Sequence, residues 1–169
     1  MGNQKISEVV FSFNNLSMSN LHFQYCQKIV VYSKDGQSVL LCKRKGEADY
    51  DGVFSFIGGK METTDGAIIE GLKREKNEEV GEDFKIKIFP AFSTNEFFVK
   101  KDGNAMVLPH YYAIHESGDI TLNEEYSEYQ RVPLADITSF EPKIYTIPRS
   151  LNSLALLQEI LHKTEFVII

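Results

Sequence analysis

Apolar residues along this chain fall mostly into short runs of strand length, interrupted by stretches in which they recur at helical spacing. "YCQKIVVYS" and "SVLLCKR", split by Lys34-Asp35-Gly36-Gln37, read as two strands joined by a hairpin turn whose glycine supplies a positive φ. "GVFSFI" is a short third strand ended by Gly58-Gly59. "FKIKIFPAFSTNEFFV" alternates well enough for a strand, with a break expected at Pro90, which brings no ladder donor. Lys101-Asp102-Gly103-Asn104 turns the chain back into "AMVLPHYYAIHE", and after an acidic loop "YQRVPL" is a last short strand. A helix is predicted from about Ala67 to Val80, stopped by Gly81. A second follows in "SLNSLALLQEILHK", its leucines helically spaced behind Ser150 as cap. Strands dominate and helices interrupt them, which points to an α/β fold with a mixed β-sheet between helices rather than a doubly wound parallel sheet. With no internal repeat, low-complexity tract or linker, the expectation is an N-terminal arm over residues 1–22 and a single domain over residues 23–169.

Composition narrows the partners. At 169 residues, 43% apolar and 25% charged, the chain is long enough to bury a core unaided and has a globular balance. A net charge of −6, with no basic cluster longer than Lys43-Arg44-Lys45, argues against a nucleic-acid polymer as partner. An anionic ligand would need help from a metal. Cys26 and Cys42 lie in apolar strand-like runs and read as buried thiols in a reducing compartment. The first twenty residues lack the apolar core of a secretory signal, and no run approaches the ~18 apolar residues of a membrane span. The expected location is cytoplasmic, with no membrane partner; a homodimer is compatible with the sequence.

The first helix carries the chemistry. "REKNEEVG" crowds Glu75, Glu78 and Glu79 into five positions. At about 100° per residue Ile68, Ile69, Leu72 and Val80 cluster on the side that faces the sheet. With Glu75 at zero, Glu79 lies roughly 40° one way and Glu78 roughly 60° the other, an arc that also holds Ile68 and Leu72. The acids therefore adjoin the apolar stripe, whereas a solvated acidic face sits opposite it. Carboxylates at such spacing repel, and the C-terminal end of a helix carries the negative pole of its dipole. Hard divalent cations with oxygen ligands offset both costs.

The stretch from Gly59 to Glu82 resembles the signature of the Nudix hydrolase family: Gly, five residues, Glu, seven residues, Arg-Glu, apolar, any, Glu-Glu, any, Gly, apolar. Gly59 matches the opening glycine, and Arg74, Glu75, Glu78, Glu79 and Gly81 match the closing half. The order of strands before and after it is similar to that family too. Five residues on from Gly59 stands Asp65 in place of Glu, and eight residues separate Asp65 from Arg74, so one residue is inserted or Glu62 takes the role. In the family that acid pairs with the arginine, which either Asp65 or Glu62 could do here. The two apolar positions hold Lys76 and Glu82. Lys76 falls in the apolar stripe, where it must snorkel or pair with an acid.

The resemblance implies an α/β/α sandwich and a hydrolase that cleaves the diphosphate linkage of a nucleoside diphosphate joined to another group, using Mg²⁺ or Mn²⁺. Glu75, Glu78 and Glu79 would ligate the metal, with the Gly59 carbonyl as a further ligand and Glu78 or Glu79 as the base. Glu124, Glu125 and Glu128 are candidates for an acid outside the signature, set against a plain acidic surface loop. Arg44 and Lys60 are candidate phosphate contacts. Phe54, Phe56, Tyr111 and Tyr112 could stack on a base, but aromatic residues mostly build core. His110 and His115 suit satisfied strand histidines better than ligands of an oxygen-preferring ion. The small-molecule substrate is a nucleoside triphosphate, a nucleotide sugar or ADP-ribose, the first slightly favoured because no additional N-terminal domain precedes the signature. A non-catalytic nucleotide-binding module and an isoprenoid diphosphate isomerase, which needs a catalytic cysteine, remain open on the same fold.

Overall fold

The fold is that of a computed structural model, which describes residues 23–47, 49–100, 103–151 and 165–169. The expected N-terminal arm and most of the expected C-terminal helix lie outside the described residues. Among the described residues eight strands form one mixed sheet: β1 (Phe23–Tyr25), β2 (Lys28–Tyr32), β3 (Ser38–Arg44), β4 (Phe54–Ser55), β5 (Lys85–Val99), β6 (Ala105–Ser117), β7 (Tyr126–Pro133) and β8 (Val167–Ile168). The path runs β4-β3-β2-β6-β5-β8, with β1 also on β6 and β7 also on β3. β1 and β2 pair parallel to β6, and the remaining pairs are antiparallel.

The run read as one first strand is split, yet its halves share one register on β6: Phe23 faces Ala105 and Lys28 faces His110. Between them Cys26 bridges to Lys60, and the Gln27 N–H donates to the Gly59 carbonyl at 2.9 Å. The break thus ties the double-glycine loop into the sheet. Pro90 does not end the fifth strand. β5 continues through it, and a register shift between Ile88 and Ser93 takes up the missing donor. β7 begins three residues ahead of "YQRVPL", because Tyr126 pairs with Arg44 across a bulge.

The sheet has an apolar face on each side. One buries Ile29, Val31, Leu40, Cys42, Tyr111 and Ala113 under helix α1 (Ile68–Val80), which contributes Leu72 and Val80. The other buries Val30, Tyr32, Leu41, Phe56 and Tyr112 under the segment from Leu134 to Leu151, which ends in the short helix α2 (Ile147–Leu151). Phe54, Phe56, Tyr111 and Tyr112 are all buried core residues. Ser150 is not a cap. It lies inside α2, and its carbonyl accepts from the Tyr112 hydroxyl at 2.7 Å. Ile68 departs from the expected apolar stripe: at the first turn of α1 it is 41% exposed. Both cysteines are free, Cys42 buried and Cys26 half-buried. Among the described residues no helix is long and apolar enough to cross a membrane.

Candidate active site

α1 starts at Ala67 without a side-chain cap, and Gly81, at φ 90°, ends it as expected. Its last carbonyls are taken by the acidic loop, the Asn123 N–H donating to Glu79 and the Thr121 N–H to Val80, at 3.2 and 3.0 Å. Lys76, fully buried, neither snorkels nor meets an acid. Its ammonium donates to the carbonyls of Gly81 at 3.2 Å and Phe84 at 2.9 Å, beyond the helix end. Burial brings it down to about 8.

The glutamates of the helix separate by depth. Glu79 is buried, Glu75 is largely covered, and the Glu78 side chain is 56% exposed. Glu79 is held at both oxygens, one by the Gly58 N–H and the other by the Tyr126 hydroxyl at 2.9 Å. Glu75 lies against Gly59, where a Cβ would overlap its carboxylate and push that side chain or the loop aside. Gly58 sits at φ 109°, a conformation that glycine adopts without strain. Burial pushes both Glu75 and Glu79 above the usual carboxylate range, against the hydrogen bonds and cations that favour their charged forms.

Arg74 organises the exposed side. It donates Nε to Asp65 Oδ1 at 2.7 Å, Nη2 to Asp65 Oδ2 at 3.0 Å and to the Lys60 carbonyl at 3.0 Å. Its Nη1 reaches Glu75 at 2.9 Å and Glu78 at 3.1 Å. Asp65 therefore serves the arginine, while the exposed Glu62 stands 4.0 Å away. The Arg74 hydrogen bonds draw Asp65 down to about 2. The inserted residue is absorbed in the turn ahead of α1, where Asp65 also accepts from the Glu62 N–H at 2.7 Å.

The remaining candidates spread out. Arg44 pairs with Glu47 and reaches the Ser55 hydroxyl at 3.4 Å, with its Nε buried and without a partner. Its charge acts on Tyr126, which puts it near the Glu79 end of the site. Lys60 contributes its carbonyl to Arg74 while its side chain is exposed. Glu128 is paired with Lys43 at 3.2 Å. Of the three loop acids, Glu125 is the one whose charge raises Glu79. His110 is buried with Nδ1 3.1 Å from the Leu108 carbonyl, and His115 bonds the Gly118 carbonyl and Arg131. Both are satisfied strand histidines.

Three contributors were missed from the sequence. Tyr126 holds Glu79. Lys28 donates its ammonium to the Gly58 carbonyl. Gln27 is fully buried, and with its amide turned to satisfy both partners it accepts from the Leu72 N–H at 2.9 Å, pinning the break between β1 and β2 to α1. Tyr126 had a signal in its place inside the acidic loop, and Lys28 in being charged at the head of an otherwise apolar strand.

Does this donor set suit a metal ion? Among the described residues no three His, Cys, Asp or Glu side chains converge on one point as they stand, since Arg74 draws Glu75 and Glu78 to itself. The donors are nonetheless all oxygens, two of them carboxylates raised by burial beside a backbone stripped of its Cβ, and that chemistry fits a hard divalent cation.

A family model, the NUDIX domain, matches residues 23–151. The chain belongs to the Nudix family. The sandwich fold and the Nudix pyrophosphohydrolase class expected from the signature agree with that membership. Nudix hydrolases generally use a divalent metal. Among solved structures, the MutT protein of Methanosarcina mazei is 20% identical with a TM-score of 0.66, over 83% of this chain and 98% of that one. A C. elegans Ap4A hydrolase in a binary complex is 16% identical with a TM-score of 0.65, over 80% and 98%. The NUDIX domain of Shewanella oneidensis NrtR, complexed with ADP ribose, is 18% identical with a TM-score of 0.61, over 92% and 99%. At these identities the likeness is one of fold. No curated protein matches the chain in sequence.

Proposed function

We propose that this Nudix chain hydrolyses the diphosphate linkage of a nucleoside diphosphate joined to another group, in the cytoplasm and with Mg²⁺ or Mn²⁺. One observation carries the reading: Glu75 and Glu79 are brought onto the same two glycines, one against the bare backbone of Gly59 and the other on the Gly58 N–H. Glu75, Glu78 and Glu79 would hold the ion, with the Gly59 carbonyl, which already accepts from Gln27, offering its second lone pair. When bound, a divalent ion neutralises phosphate charge, orients water and lowers its pKa.

The protein's own part is positioning. Tyr126 and Gly58 fix Glu79 at both oxygens, which suits a ligand that stays in place. Glu78 is exposed and has Arg74 as its hydrogen-bond partner, so it is the carboxylate freer to accept a proton from water. Arg74, tied to Asp65, keeps the glycine loop against the helix. Arg44, with an unpartnered Nε, is the better candidate for a phosphate contact than the outlying Lys60. The substrates worth testing are nucleoside triphosphates, nucleotide sugars, dinucleoside polyphosphates and ADP-ribose, the last two being those with which the Ap4A hydrolase and NrtR structures are associated. Of the two cysteines the isomerase alternative could use, Cys42 is buried, and burial pushes its thiol far up, which leaves the half-buried Cys26.

The test is a nucleotide panel with Mg²⁺, read as released phosphate, pyrophosphate or nucleoside monophosphate. At least one compound should turn over, and Glu79→Gln should cut that turnover by orders of magnitude with the circular dichroism spectrum unchanged. Turnover of none, or full activity in Glu79→Gln, rejects the hydrolase and leaves a binding module.

A further inference from the structure

Lys28 is a charge that neither the signature nor the acid stripe accounts for. It opens β2, whose other residues, Ile29 to Tyr32, are all buried, and its own side chain is half-buried across from His110 of β6. Its ammonium donates to the Gly58 carbonyl. The N–H of that same glycine donates to Glu79. The lysine's charge is the largest influence opposing the effect of burial on Glu79, and it acts on Glu75 as well. Arg74, by contrast, is divided among Asp65, Glu75, Glu78 and the Lys60 carbonyl.

Holding the loop is not a sufficient role for this lysine. The two glycines and their neighbours are secured without it: Gln27 N–H to Gly59 O at 2.9 Å, Ile29 N–H to Ile57 O at 2.9 Å, and Met61 N–H to Tyr25 O at 3.0 Å. What the ammonium adds is a unit of positive charge on the glycine that binds Glu79, from which its field reaches both carboxylates that burial leaves short of solvation.

We propose that Lys28 is a resident counter-ion of the Glu75–Glu79 pair, which a divalent cation must outcompete, so that this one lysine sets how tightly the chain binds its ion. The inference rests on the reading of Glu75 and Glu79 as cation ligands. Removing the ammonium removes a like charge from beside the incoming ion, and at partly buried sites such repulsion changes affinity by about tenfold or more.

The experiment is a calorimetric titration of Mn²⁺, with free Mn²⁺ followed by electron paramagnetic resonance, into the parent, Lys28→Met, Lys28→Arg and Glu79→Gln, each checked for its thermal midpoint. Lys28→Met is expected to bind Mn²⁺ about tenfold more tightly than the parent, Lys28→Arg like the parent, and Glu79→Gln more weakly. If Lys28→Met binds no more tightly than the parent while Glu79→Gln still weakens binding, the counter-ion role is overturned and the cation-site reading survives. If none of the four binds Mn²⁺, both fall together. Should Lys28→Met fail to fold, Lys28→Gln is titrated in its place with the same expectation; if both fail to fold, the lysine is structural and the proposal is likewise overturned.

Discussion

Arg74 and Asp65 are joined by two parallel hydrogen bonds, Nε to Oδ1 at 2.7 Å and Nη2 to Oδ2 at 3.0 Å. A two-point bond fixes the plane of the guanidinium as well as its position. From that plane Nη1 reaches both Glu75 and Glu78. Asp65→Asn is therefore expected to lower turnover on the order of tenfold, and to lower the thermal midpoint. Glu62→Gln, at an exposed side chain 4.0 Å from the arginine, should do neither. Parallel kinetics and melting curves on the two variants decide which acid has taken the signature's first position.

The space beside Gly59 is filled by the Glu75 carboxylate. In Gly59→Ala the new Cβ would overlap the Glu75 carboxylate, and either the side chain or the loop must shift. Displacements of about 1 Å at a catalytic constellation can cost on the order of a hundredfold in rate. Turnover should fall by about that factor while the far-UV circular dichroism stays that of the parent; near-parental turnover would remove the reason given for the glycine.

Tyr126 donates to Glu79 and so favours its charged form. Tyr126→Phe removes that donor and leaves burial less opposed, which raises Glu79 further. The acid limb of the pH–rate profile should move to higher pH. A shift to lower pH, or none, contradicts the role given to the hydroxyl.

His110 gives a stability signature that is separate from catalysis. Burial lowers it from 6.5 to about 4, so the unfolded chain takes up its proton before the folded chain does. Its contribution is complete above pH 6.5 and is lost as pH falls through about 4, with an upper limit of about 3 kcal/mol. Denaturant melts should show parental stability declining across that window, and His110→Gln declining less.

Local physics made the helix legible. The sequence carried its period, its glycine stop and the acids beside its apolar stripe, and those placed Glu75 and Glu79 correctly against the sheet. It did not separate Glu78 from Glu79 in depth, because the two differ by how α1 is rolled on the sheet, which packing decides. Asp65 and Glu62 were equal in the sequence and differ only in which one the turn points at Arg74. The roles of Lys28, Gln27 and Tyr126 were missed for a different reason. Each acts on a partner 30 residues away or more, Lys28 on Gly58 at a separation of 30 and Tyr126 on Glu79 at 47, and no periodicity encodes such contacts. Lys76 was found as an anomaly but given the wrong partners, since backbone carbonyls past a helix end leave no mark in the pattern of residue types. The strand Val167–Ile168 was too short to stand out.

The interruption between β1 and β2 bears on where this chain can change in size. Since Phe23–Tyr25 and Lys28–Tyr32 keep step on the same neighbour across Cys26 and Gln27, deleting or adding a single residue there would turn one of the two strands over and carry Lys28 or Tyr25 to the wrong side. The turn before α1 has already accommodated an extra residue between Gly59 and Arg74 without losing the arginine's acid. Insertions and deletions should therefore be tolerated on the helix side of the two glycines and lethal on the strand side.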